Sequence, residues 1–397
     1  MTSAPDTAAI PPALAVPPVN ETGDHRGSWI PNGAMIATRF MELRKRRGLM
    51  TALIVVTIGI PTLFLAIRLV LHAVAPKSYG PAGGYDIFTA MVAGVLYVFG
   101  FIVAATLGCA AGSVDLTDGM FRHLVVTGRS RLALYLARIP AGLAIIVPLV
   151  AIGFTIVCGV CVFAAPTTLN YQGVNVPAGL SRAGLETWAA GHANEVVCNF
   201  SYNAPVSLNV TCPNSGQIIP GPNGGPIIKG TPAAGVPAPS TPAQIKTQAV
   251  RIANQDYTDY SRFFLYPSNS LMIKAGLWIE LEAVIGFIVG LGLASLLGQR
   301  TIAVVMMIVL EIILTPIFSR ARIPHFENLQ RAVVGLATAH LEPAGLPIRV
   351  FGGGDRGPGG GGPTLLPEST RVAVCVILAW LVGWTVLGAW RMVNRDA

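Results

Sequence analysis

Long apolar runs alternate with short charged turns along this chain, and the alternation predicts six membrane-spanning helices. A spanning helix needs about 20 mostly apolar residues. Six runs meet that need: Leu49–Val70, Ile87–Ala110, Ala141–Ala164, Ala275–Leu297, Thr301–Ser319 and Val372–Trp390. The fifth is the shortest, and only Gly298, Gln299 and Arg300 separate it from the fourth. Ahead of the first run, residues 34–47 place apolar side chains at helical spacing. Ile36, Phe40 and Leu43 share one face, with Arg39, Glu42 and Arg46 directed away from it. Such a helix lies along the inner leaflet. Pro61, Pro148 and Pro316 are candidate kinks in the first, third and fifth runs.

Two polar stretches interrupt the pattern. Residues 165–270 are rich in Asn, Gly, Pro and Thr, with turn or coil segments at Gly221–Pro226 and Pro237–Pro239. Within them, Thr241–Phe264 reads as a helix. Its aromatic run of Tyr257, Tyr260, Phe263 and Phe264 is expected to anchor it at the outer interface, ahead of the fourth span. In residues 320–370, Leu329–His340 is moderately helical and Gly352–Gly362 reads as a flexible linker. Residues 1–33 are Pro- and Ala-rich, without the apolar core of a signal peptide, and read as a disordered tail. The expected organisation is therefore a tail (1–33), a connecting helix with three spans (34–164), an outer region (165–270), two spans (271–319), an outer segment (320–370) and a last span with its tail (371–397).

Composition agrees with a membrane-embedded chain. Of 397 residues, 52% are hydrophobic and only 12% charged, against about a quarter charged in soluble domains. The net charge of +8 does not point to nucleic acid, because no nucleic-acid-binding motif accompanies it. Lys and Arg cluster at span ends instead: Arg39 and Arg44–Arg47 before the first span, Arg122, Arg129, Arg131 and Arg138 after the second, Arg300 after the fourth, and Arg391 and Arg395 after the sixth. With six spans these all fall on one side, which the positive-inside rule makes cytoplasmic. Both termini are then cytoplasmic, and residues 165–270 lie outside.

The most specific polar feature is the island between the second and third spans, Asp115 to Arg138. Asp118 suits an N-cap, Met120, Phe121, Leu124 and Val125 share a face, and Gly128 suits a C-terminal stop. Ser130 can cap the helix that follows. Asp118, Phe121, Arg122, Leu124, Gly128, Arg129 and Arg131 thus form either a docking surface for a soluble partner or a loop that only sets topology.

Other chemistry is sparse. There is no Walker A sequence, no H-E-x-x-H, no G-x-S-x-G and no kinase set, so no enzyme, metal or cofactor is expected. Cys109, Cys158, Cys161 and Cys375 lie in apolar runs and read as small buried hydrophobes. Cys198 and Cys212 lie in the outer region and can close a disulfide in an oxidising compartment. The sequons at Asn199 and Asn209 carry no weight, the pattern being short enough to arise by chance. Four ionisable residues sit inside apolar runs: Arg68, Glu280, Glu282 and Glu311. A central charge costs about 2.5–3.5 kcal/mol on insertion scales, so each needs a partner, water or a function. Glu280 and Glu282 are expected about 10 Å below the outer end of the fourth span. They are candidates for an Arg68–Glu outer gate, an acidic site for a cation or proton, or hydrated carboxylates near the interface.

Two segments resemble the permease subunits of ABC-2-type ABC transporters, those of actinobacteria in particular. One is Thr38–Met50 ahead of the first span. The other is Gly112–Asp115 together with Thr127–Arg138. A weaker likeness is Tyr266–Ser270 at the fourth span. The resemblance implies a six-span all-α fold in a bacterial cell membrane, an interfacial connecting helix (Arg39, Phe40, Glu42, Arg46), and a coupling helix at Asp118–Gly128 that contacts a separate nucleotide-binding ATPase subunit. It also implies a second permease subunit and ATP-driven export of a lipid, drug or natural product. The large outer region after the third span departs from simpler members. Two other classes stay open: an ion-coupled secondary transporter, and a membrane scaffold that displays the outer region.

Overall fold

In a computed structural model of the chain, residues 29–76, 78–117, 130–166, 168–171, 174–199, 218–220, 226–228, 241–264, 267–314, 317, 329–343, 346 and 368–394 are described. Among the described residues, five helices are long and apolar enough to cross a membrane: α2 (Arg47–Val74), α3 (Tyr85–Ser113), α4 (Arg131–Phe163), α8 (Asn269–Leu297) and α11 (Thr370–Asn394). α1 (Gly33–Lys45) precedes them. The fifth apolar run is described as α9, helical over Arg300–Ile308 and π-helical over Val309–Leu314.

α8 and α3 are the most enclosed helices, and small residues explain how they approach. A Cβ on Gly108 would run into the Phe287 carbonyl, one on Gly290 into the Ala105 carbonyl at 2.6 Å, and one on Gly112 into the Leu291 carbonyl at 2.6 Å. Lipid tails are as apolar as Leu, so helices associate in a membrane by close backbone packing, which stripes of small residues permit. The contacts advance together along both helices, from Phe101–Gly286 through Ala105–Gly290 to Gly112–Leu291. α3 and α8 are therefore parallel. α4 is antiparallel to α8, with Phe154 against Gly276 and Gly142 under the Phe287 ring.

α11 also runs parallel to α8. Gly292 lies against Trp384 and Gly388, while Trp278 and Trp380 bond into one short segment. Because α8 and α11 run the same way, the end of α8 and the start of α11 lie at opposite ends of the bundle. α9 begins after a tight turn. Gly298 adopts φ 72° and its N–H bonds the Ala294 carbonyl at 2.8 Å, a left-handed helix stop that glycine favours.

Prolines act locally. Pro61 lacks an N–H, and a π-helical stretch, Val55–Gly59, precedes it in α2. Pro148 is carried inside α4, whose break falls instead at Ala137, three residues before Pro140. Pro316 lies outside the described residues.

The region between α4 and α8 holds two hairpins and three helices among its described residues. A hairpin of β1 (Thr168–Tyr171) and β2 (Val174–Pro177) packs with α5 (Arg182–Gly191), α6 (Ala193–Asn199) and α7 (Pro242–Phe264) around a separate core of Val176, Leu185, Val196 and Ile252. A second hairpin pairs β3 (Ile218–Pro220) with β4 (Pro226–Ile228). α7 starts at a capping box: the Thr241 N–H donates to Gln244 Oε1 at 2.8 Å and the Gln244 N–H returns to Thr241 Oγ1 at 3.4 Å. Of the aromatic residues expected to anchor α7 in the membrane interface, Tyr257 and Tyr260 pack on this core, and the side chains of Phe263 and Phe264 lie outside the described residues. Tyr260 is 1% exposed. Its hydroxyl donates to the Pro177 carbonyl and accepts from the Leu180 N–H. Tyr257 stacks on Tyr260 and lies under the Arg182 guanidinium, 5.1 Å from the ring centroid.

Candidate functional site

One set of polar side chains lies where α3 ends and α4 begins. Arg138 is 2% exposed and donates to the Gly112 carbonyl at 3.1 Å. Ser295 of α8 donates to the same oxygen at 3.4 Å. Arg131, expected to face a soluble partner, donates to the Val393 carbonyl at 3.0 Å, so it satisfies one of the last carbonyls of α11. The stretch therefore leaves α3 and enters α4 at points tied to each other, to α8 and to α11. Asp118, Phe121, Arg122, Leu124, Gly128 and Arg129 lie outside the described residues.

α1 packs against α4 at this end. Asn32 caps it, accepting from the Met35 N–H at 2.9 Å. Leu43 is 4% exposed and Phe40 is partly buried on the bundle. Arg39 does not point away as the periodicity predicts: it is 8% exposed and pairs with Glu42 at 2.7 Å. A charge one turn away compensates the guanidinium, so this polar edge is enclosed along with the apolar one. Arg46 forms the joint between α1 and α2, with ψ 72° and its N–H bonded to the Leu43 carbonyl at 3.2 Å.

Among the described residues, the ionisable side chains of the apolar runs lie apart from Arg68. Arg68 donates to the Pro81 carbonyl at 3.1 Å, in the turn after α2, and makes no ion pair with Glu280 or Glu282. α8 begins at Asn269, ahead of the expected Ala275. Glu280 therefore lies about 16 Å from the start of the helix, within one turn of its midpoint near Ala283. Both carboxylate oxygens of Glu280 are buried without a hydrogen-bond partner. Glu282 is 2% exposed, on the face that carries Trp278 against Tyr97 and Gly286 against Phe101. Glu311 falls in the π-helical part of α9, and its side chain is outside the described residues.

At the opposite end of the bundle, residues 329–343 fold in between α8 and α11. Their helix α10 (Val334–Ala339) is almost wholly buried, Leu336 at 1% and Thr338 at 0% exposure. The Trp278 indole donates to the Thr338 carbonyl at 3.0 Å and the Trp380 indole to the Ala332 carbonyl at 2.8 Å. Trp278 and Trp380 lie about 13–15 Å along their helices from Asn269 and Thr370, so the segment re-enters the bundle. Irregular backbone at such depth is tolerated where protein encloses it. The sequence signal for this was the pair of tryptophans, because a buried indole N–H needs an acceptor.

Cys198 is disulfide-bonded, whereas Cys109, Cys158, Cys161 and Cys375 are free. Cys212 lies outside the described residues. Among the described residues no group of three His, Cys, Asp or Glu can hold a metal ion. No family model, curated protein or solved structure matches the chain.

Proposed function

We propose that the chain is the membrane-spanning permease subunit of an ATP-driven transporter of the ABC-2 type, exporting a hydrophobic or amphipathic substrate. The observation that carries this reading is the linkage at the α1 end. Arg138 ties the stretch between α3 and α4 to Gly112, Arg131 ties it to the end of α11, and α1 lies on α4 while continuing through Arg46 into α2. A push on that stretch is felt by four long helices at once. Such a lever suits a protein whose energy arrives from outside its own chain.

In this mechanism a separate ATPase subunit docks on Asp118–Gly128, with Phe121 and Arg129 as contact residues. ATP-driven closure of two such subunits moves the stretch in both permease subunits of a dimer. α2 and α11 tilt with it, and the far end of the bundle opens. The connecting helix and both termini lie in the cytoplasm, and the outer region lies on the exit side.

Co-expression with a nucleotide-binding subunit tests this. The expected result is a co-purifying complex whose ATPase activity and ATP-dependent movement of a fluorescent lipid or dye in proteoliposomes fall on Phe121→Ala or Arg129→Ala. Proton-driven transport by the chain alone, with no bound ATPase, overturns it. The unpartnered Glu280 carboxylate favours that second reading, an ion-coupled carrier.

A further inference from the structure

Charge is uneven around the joint between α1 and α2. Between Trp29 and Ile67 the chain carries one acidic residue, Glu42, against Arg39, Arg44, Lys45, Arg46 and Arg47. Glu42 is paired with Arg39 at 2.7 Å, on the enclosed side of α1. Arg44, Lys45 and Arg47 are exposed and make no ion pair among the described residues. Elsewhere at this end of the bundle, basic side chains are used internally: Arg131 holds the Val393 carbonyl and Arg138 the Gly112 carbonyl.

The three cations stand at the edge of an apolar surface. α1 ends and α2 begins at Arg46, whose ψ of 72° breaks the helix. On the α1 side, Leu43 turns to the bundle while Met41, Arg44 and Lys45 turn outward. On the α2 side, Arg47, Thr51 and Ile54 follow at helical spacing along one face. Thr51 and Ile54 are both exposed, and α2 is, with α11, the least enclosed of the five long helices. In a spanning helix such a face meets acyl chains. A soluble partner can reach the cations but not the lipid-facing strip that continues from them. A phospholipid meets both, with its phosphate at the joint and a chain along α2. A zwitterionic headgroup brings its own cation against the cluster, whereas an anionic one does not.

We propose that Arg44, Lys45 and Arg47, with the exposed face of α2 that starts at Arg47, bind an anionic phospholipid. The headgroup phosphate lies among the three cations, and an acyl chain runs along Thr51 and Ile54. A lipid seated there ties the joint between α1 and α2 to the membrane surface. The site does not depend on what drives transport, and it stands whether or not an ATPase subunit docks on the chain.

Native mass spectrometry of the full chain in detergent tests this. Phosphatidylglycerol and phosphatidylcholine with the same acyl chains are titrated in turn. The wild type is expected to prefer phosphatidylglycerol by about tenfold or more, each basic side chain near an anionic surface contributing about fivefold. Combining Arg44→Gln, Lys45→Gln and Arg47→Gln is expected to abolish the preference. Combining Arg300→Gln with Arg391→Gln, which removes two exposed cations elsewhere, is expected to keep it. A photoactivatable acyl chain on phosphatidylglycerol is expected to label residues 47–55, and the phosphatidylcholine analogue to label them far less. Equal binding of the two lipids overturns the proposal, as does a preference that survives the triple variant. Displacement of the lipid by millimolar inorganic phosphate also overturns it, because the site is then one for a free anion. Should the triple variant fail to fold, labelling of the wild type decides: selective labelling of 47–55 supports the site, and equal labelling by both analogues overturns it.

Discussion

Arg138 reaches from the start of α4 to the carbonyl of Gly112 in α3, 3.1 Å away, and is enclosed to 2% exposure. One guanidinium thereby fixes both ends of the stretch on which the functional reading depends. Removing it leaves a buried carbonyl with fewer donors and a gap beneath α4. Arg138→Ala is expected to destabilise the protein by about 1.5–3 kcal/mol, seen as a lower melting temperature in detergent. Arg138→Lys keeps the charge but not the planar fork, and should recover only part of the loss.

Close packing of α3 on α8 makes a sharp contrast within one helix. A Cβ on Gly108 overlaps the Phe287 backbone, whereas one on Gly100 meets nothing within 4 Å. Gly108→Ala should cost about 1–3 kcal/mol and reduce the yield of folded protein. Gly100→Ala should be neutral or slightly stabilising. Size-exclusion profiles and thermal unfolding of the pair check this directly.

Trp278 serves two neighbours. Its ring stacks on Tyr97 at 5.0 Å, with an interplanar angle of 3°, and its N–H holds the Thr338 carbonyl. Trp278→Phe keeps much of the stack and loses the bond, at an expected cost of about 0.5–1.5 kcal/mol. Trp278→Ala also loses the packing, at about 3–5 kcal/mol. Proteolysis within residues 329–343 should rise in both variants, and more in the alanine one.

The bonded Cys198 staples α6 in the subdomain between α4 and α8. Cys198→Ser, or reductant on the wild type, should destabilise that subdomain by about 2–5 kcal/mol. Limited proteolysis should then cut within residues 165–264 while the spanning helices stay intact.

Glu280 is the reverse case. Its carboxylate has no bond to lose, so Glu280→Gln should leave thermal stability unchanged or raised. Any loss of ATP-driven or proton-driven transport in that variant therefore reports on mechanism, not folding. Full transport with stability intact would remove Glu280 from the pathway.

The apolar runs by themselves determined that the chain carries several helices long and apolar enough to cross a membrane, and that the turn between the fourth and fifth runs falls at Gly298. Hydrocarbon can solvate a backbone only when its own hydrogen bonds are closed, so about 20 apolar residues in a row have almost no other solution. The same reasoning located α1 and α7. It stopped short wherever a polar group chooses a neighbour. Periodicity put Arg39 on the outer face of α1, but Glu42 compensates it and lets it pack inward. Arg68 turned to the Pro81 carbonyl instead of a glutamate, and Arg131 to the end of α11. Tyr260 was consumed by the core of the subdomain between α4 and α8, and the buried α10 appeared only once Trp278 and Trp380 had found acceptors. A sequence states which groups must be satisfied. Distant segments supply the partners, and only the tertiary structure brings them within 3 Å or so.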